Sequence, residues 1–253
     1  MMHIPITTNH NRCKLHLSIE GVQAVWVGIK VYDPTQPFSH YFRRKVYLRP
    51  QQVREITIAL PVSPAAVSLE LYNKRSGDAS GFKLLGLRHT AMPLSPFWAS
   101  PVQHRFMDFA IDFAQKAGAL PTGFYDSKGH EFLFQYLPKI LDQTGKELVT
   151  PARIHRLMPR VQISKRQFQT FSIPIRVAIL AHEGCHYLLN TRSETEADRC
   201  GIRYYLSYGF PKIEAVYAVT KVFGMFPETL GEEHLKRTQE IIRYIETFNP
   251  TTK

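Results

Sequence analysis

Long apolar runs are missing from this chain. Nowhere do 18 apolar residues follow one another, which disfavours a membrane-spanning helix. The opening stretch MMHIPITTNHNRCKLH lacks the charged-then-oily pattern of a signal peptide. The protein is therefore read as soluble and intracellular, or delivered by other means. Cysteine is scarce too: Cys13, Cys185 and Cys200 are too few and too scattered for a disulfide framework, so they are read as buried thiols in a reducing compartment. No internal repeat, low-complexity tract or basic run with interleaved aromatics stands out. The last absence sets nucleic acid aside as an expected partner.

What the chain does have is 44% hydrophobic residues, ample for a core, and a net charge of +11. The charge is uneven. Residues 1–92 hold 12 Lys/Arg against 5 Asp/Glu, whereas residues 93–253 hold 20 against 16. A basic first third favours encounter with an acidic partner, whether nucleic acid, an anionic envelope or an acidic protein surface, or simply serves solubility.

That first third reads as strands. KLHLSIE, VQAVWVGIKVY, HYFRRKVYL, REITIAL, AVSLELYN and FKLLGLRHT alternate apolar with polar residues, punctuated by DPTQP, RPQQ, PVSP and KRSGDASG. The pattern predicts an antiparallel β-sandwich over residues 1–92. Near AMPLSPFWAS the period changes, and Phe106, Phe109, Ala110 and Phe113 take helical spacing. Residues 93–253 thus form a second, mainly helical domain, making the class α+β. Within it ARIHR and RVQIS flank a short hairpin, and residues 118–150 carry no assignable pattern.

Chemistry concentrates in IPIRVAILAHEGCHYLLNTRSETEADRCG, residues 173–201. Ser172 and Pro174 open a helix, Asn190 is a candidate left-handed terminator, and Ser193 with Glu196 has the pattern of a capping box for the next helix. On a helix, residues four apart are offset by only ~40°, so His182 and His186 project from one face and can share a metal ion. Glu183 lies ~100° round from His182, beside the metal rather than on it, where it can deprotonate a water. Zinc needs a third protein ligand and an open fourth position. Glu194, on the next helix, can supply that ligand. Asp198 shares its face and can accept the free ring N–H of a ligating histidine.

An HExxH helix followed by a helix carrying ExxxD resembles the gluzincin metallopeptidases. HEGCH followed by ETEADRCG is most similar to the HExxH and ExEAD signatures of the heat-shock and ImmA/IrrE types, over roughly residues 150–248. More loosely it resembles compact HExxH proteins of bacteriophages and their hosts. The resemblance implies a zincin-like metallopeptidase domain with Zn²⁺ held by His182, His186 and Glu194, Glu183 as general base and Asp198 supporting a ligand. It also implies that the hairpin at 152–164 supplies an edge strand for an extended peptide substrate. Only seven residues separate His186 from Glu194, fewer than in the better-characterised families.

Other candidates carry two readings each. His234 is either an oxyanion donor, as a late histidine is in some gluzincins, or a surface histidine on a charged helix. Tyr187, Tyr204, Tyr205 and Tyr208 are oxyanion donors or a core face. Cys185 lies ~100° from His186 and is expected in the core. Three functions compete at this point: a zinc peptidase acting on a peptide or protein, located in the cytoplasm; a structural component of an assembly such as a phage virion with a retained zinc site; and nucleic-acid binding through the basic sandwich, whose mark would be a steep salt dependence.

Overall fold

The computed structural model describes residues 1–94, 97, 99–155, 160–222 and 232–249. The class is α+β, and the chain divides into two compact units, Met1–Leu94 and Ser95–Lys253.

The first unit contains β1 (Met2–Thr7), β2 (Cys13–Gly21), β3 (Val25–Tyr32), β4 (His40–Leu48), β5 (Val53–Leu60), β6 (Ala66–Asn73) and β7 (Phe82–Ala91). They form two antiparallel sheets, ordered β1-β6-β3-β4 and β5-β2-β7. The period-2 pattern determines which side is dry. Leu15, Leu17 and Ile19 of β2, Val27, Ile29 and Val31 of β3, and Leu69 and Leu71 of β6 are all buried, while residues between them face outward. Strand β1 went unread in the sequence, since its alternation is interrupted by Pro5. It pairs along its whole length with β6 at the sheet edge, where a missing N–H is tolerated.

The second unit opens with α1 (Pro101–Lys116), started by a reciprocal capping box between Ser100 and Gln103. A four-stranded sheet follows: β8 (Gly123–Asp126), β9 (Leu133–Leu137), β10 (Ala152–His155) and β11 (Arg160–Ser164), in the order β10-β11-β9-β8. Strands β8 and β9 fall in the stretch left unassigned from sequence. The antiparallel pair β10/β11 is the expected hairpin. Strand β9 joins β11 in parallel, so β10 is an edge strand. Phe106, Phe113, Phe134, Tyr136 and Phe168 fill the space between α1, the sheet and the short helix α2 (Lys165–Phe168).

Helix α3 (Ile173–Leu188) runs through this unit and is buried on nearly every side. Its Arg176 is 1% exposed and donates to the carbonyls of Ala114, Phe168 and Gln169, tying α3 to the carbonyl ends of α1 and α2. Ser172 stands at the N-cap but does not cap with its side chain; its hydroxyl donates to Glu214 instead. Asn190 takes the left-handed conformation that ends the helix, with φ of 48°. Helix α4 (Glu194–Ser207) starts on Ser193, whose Oγ accepts from the Glu196 N–H. The reciprocal half of that box is absent, because the Glu196 carboxylate accepts from Thr191 Oγ1. Helix α5 (Lys212–Tyr217) runs on into a π-helical turn over Ala218–Val222, and α6 (Glu232–Thr247) closes the described fold.

The expectation of three free thiols fails for two of them. Cys13 is free and buried, but Cys185 and Cys200 form a disulfide with their Cα atoms 6.0 Å apart. The reason is the close crossing of α3 and α4. A Cβ at Gly201 would lie 2.8 Å from the His182 backbone nitrogen, so the helices meet almost backbone to backbone, and Cys185 and Cys200 face each other beside that point. Spacing along the chain gave no sign of this. The reducing compartment read from the cysteine count loses its support.

Candidate metal centre

Three helices meet at the site. His182 and His186 come from α3, Glu194 from the first turn of α4, and Arg237 from α6. The two histidines are 5% and 6% exposed, and their Nε2 atoms stand 3.2 Å apart. Glu194 places Oε2 3.4 Å from His182 Nε2 and Oε1 3.5 Å from His186 Nε2. Donors about 2.0–2.2 Å from a tetrahedral ion lie about 3.3–3.6 Å from one another, which is the spacing this trio has. Together His182, His186 and Glu194 form a group that can hold a metal ion.

The other ring nitrogens explain why both Nε2 atoms turn inward. His186 Nδ1 is 3.0 Å from the Thr191 carbonyl, which can only accept, so the proton resides on Nδ1. The turn after Asn190 provides that carbonyl, and the Thr191 N–H donates back to the His186 carbonyl. His182 Nδ1 lies 2.9 Å from Asp198 Oδ1, a short but bent contact between two buried atoms. Asp198 is 1% exposed, and its Oδ2 accepts from Arg237 Nε at 2.6 Å. Arg237 also places a terminal nitrogen 3.5 Å from Glu194 Oε2.

Two Nδ1-protonated imidazoles would aim two Nε2 lone pairs at each other beside a carboxylate. Such an arrangement repels unless a proton or a cation sits among the donors. The charges reflect this. Burial opposes the positive form of His182, but the Asp198 and Glu194 carboxylates outweigh it and push its pKa up to about 10. Burial likewise works against the Glu194 anion, yet the two histidines hold its carboxyl well below the usual carboxylate range.

Glu183 stands apart from the trio, as its helical offset requires. Its carboxylate accepts from the Ile154 backbone N–H of β10, so it bridges α3 and the edge strand. Burial dominates here and raises its pKa, against the pull of both histidines. The neighbouring Gly184 is required by packing: a Cβ there would come within 2.0 Å of the Phe106 ring, which is itself buried.

The structure thus brings His182, His186, Glu194, Asp198 and Glu183 into one region. His234 lies in α6, but its side chain falls outside the described residues. Tyr204, Tyr205 and Tyr208 are buried, and Tyr187 is partly exposed against Phe132. Arg237 and the Thr191 carbonyl were missed in the sequence. Arg237 had one visible signal: it precedes the buried Ile241 and Ile245 at four-residue steps, so the charge sits on the apolar face of its helix. A backbone carbonyl leaves no such trace. No protein-family model matches the chain, and no curated protein matches it.

Proposed function

We propose that this chain is a zinc-dependent metallopeptidase of the gluzincin kind, its second unit a zincin-like catalytic domain and its first a basic β-sandwich. The observation that carries the reading is the convergence of two inward-facing imidazole nitrogens and one carboxylate at 3.2–3.5 Å from one another, each histidine secured at its far nitrogen. Two nitrogens and one oxygen suit zinc in a hydrolytic role, in which a further position would take water. When bound, the metal supplies a Lewis acid that polarises a carbonyl and lowers the pKa of water.

The chain's own residues do the rest. An extended peptide can lie along the outer side of edge strand β10, next to Glu183. Glu183 accepts the proton of the attacking water; as the C–N bond breaks, that proton goes to the departing amine. Burial that raises the carboxyl pKa favours holding the proton between those events. Asp198 and Arg237 keep His182 and Glu194 in place.

Arg237 also supports the rival reading, a component of an assembly such as a virion whose metal has a structural role. Its guanidinium already neutralises part of the acid pair without a metal. The Glu183→Gln variant separates the two. It keeps size and hydrogen bonding but cannot take the proton, so folding and zinc content should persist while cleavage of a peptide library, or of the proteins of its own assembly, disappears. If the wild type cleaves nothing across such a panel and Glu183→Gln still supports the biological role, the assembly reading stands.

A further inference from the structure

The outward face of sheet β1-β6-β3-β4 carries a second feature, independent of the metal centre. Aliphatic side chains of β3 and β6 turn into the core, leaving Trp26 and Lys30 of β3, Arg43, Lys45 and Tyr47 of β4, and Tyr72 of β6 on the other side. Register assembles them into rows: Trp26 pairs with Tyr47, Gly28 lies between Lys45 and Tyr72, and Lys30 lies between Arg43 and Glu70. The rings of Trp26 and Tyr47 stand 5.3 Å apart, and the Lys45 ammonium lies 4.8 Å from the Trp26 ring centre. Trp26 and Tyr47 are nonetheless 47% and 41% exposed.

The role of each remaining group narrows the choice. Tyr72 is structural: its ring covers Gly28 so closely that a Cβ there would meet it at 2.3 Å. Glu70, the one carboxylate in these four strands, is buried and pairs with Lys30 at 2.5 Å. Among the described residues of these strands, the solvent-facing groups include two exposed rings and two exposed cations, Arg43 and Lys45, with Glu70 the single carboxylate. The rings could not reach bases stacked inside a duplex. A single strand matches both halves of the surface: unpaired bases offer π-faces to aromatics, and phosphates complement the cations.

We propose that this face binds single-stranded nucleic acid, with bases stacking on Trp26 and Tyr47 and the backbone running along Arg43 and Lys45. Arg43, Lys45 and Tyr47 alternate along β4 itself, and antiparallel register adds Trp26 of β3 beside Tyr47.

The test uses the full chain and a labelled oligothymidylate of about 12 nucleotides, followed by fluorescence anisotropy across a salt series. Two phosphate contacts predict a slope of log Kobs against log salt near about −1.4. Arg43→Ala with Lys45→Ala should bring that slope close to zero. Trp26→Ala should weaken binding by about fivefold or more while leaving the slope unchanged. In Trp98→Phe, Trp26 is the sole tryptophan, and the oligomer should quench its emission. The proposal is overturned if the oligomer fails to bind at low salt, or if a duplex binds equally and Trp26→Ala changes nothing. A heparin-like polyanion that binds more tightly than the oligomer, with the same dependence on Trp26, would overturn it as well.

Discussion

Asp198 joins two charged groups: its Oδ1 lies 2.9 Å from His182 Nδ1, and its Oδ2 accepts from Arg237 Nε at 2.6 Å. The carboxylate is 1% exposed, so these two contacts stand in for the water it would otherwise bind. Asp198→Asn removes the anion that favours the Nδ1–H form of His182, and metal affinity should fall about 10- to 100-fold. Competition with a chromogenic chelator measures it. An affinity within twofold of the wild type would remove Asp198 from the account.

Arg237→Leu acts on the same carboxylate from the other side. It leaves a buried anion without its guanidinium, a change that costs about 3–5 kcal/mol where one partner of a buried pair is lost. Urea unfolding of the metal-free protein should show a midpoint lowered accordingly. An unchanged midpoint would mean that the Arg237 contact adds nothing to the fold.

Acidity should separate the stability of the metal-free chain from its metal affinity. His182 is pushed up to about 10 from an ordinary 6.5, so its contribution is full below pH 6.5 and fades as pH rises toward 10. The carboxyl of Glu194 is held below its ordinary 4.5, so its contribution is present above that pH and fades as pH falls into the acid range. These two groups therefore stabilise the metal-free fold most between about pH 4.5 and 6.5. Metal needs the His182 Nε2 lone pair, so binding releases a proton and affinity should climb from pH 6.5 toward 10. Calorimetric titration in buffers of different ionisation enthalpy counts that proton. A flat affinity over this range, with no proton released, would contradict the charge assignment.

The Cys185–Cys200 disulfide closes a loop of 15 residues that contains the turn between α3 and α4. Loop-closure entropy puts its contribution at about 3 kcal/mol. Cys200→Ser, or reduction, should lower Tm by roughly 6–12 °C for a protein of this size. Scans with and without reductant read it directly. Equal Tm values would show that the helix crossing at Gly201 holds without the bond.

How much of this was visible beforehand depends on the range of the interaction. Six of the seven strands in the first unit, the hairpin, α3 and the left-handed Asn190 follow from local periodicity and turn chemistry, which a linear reading captures. His182, His186, Glu183, Glu194 and Asp198 also have helical spacings, so their common region was legible once two helices were assigned. Contacts made by crossing elements were not. The disulfide, the grip of Arg237 on Asp198 and the Thr191 carbonyl behind His186 all depend on where α4 and α6 dock against α3. Gly184 showed a trace, since a glycine inside a buried helix implies close packing, but not that Phe106 is what fills the space. Strands β8 and β9 lie in short, weakly alternating segments, and tertiary pairing makes them strands.

We propose that His182, His186 and Glu194 together hold one metal ion. The most direct test is elemental analysis of the protein purified without added metal, alongside His182→Ala and His186→Ala whose folding is checked by circular dichroism. One zinc per wild-type chain and close to none in either folded variant is the expected outcome. Zinc retained at full stoichiometry in both variants, or a wild type that holds no metal even after incubation with zinc, would contradict it.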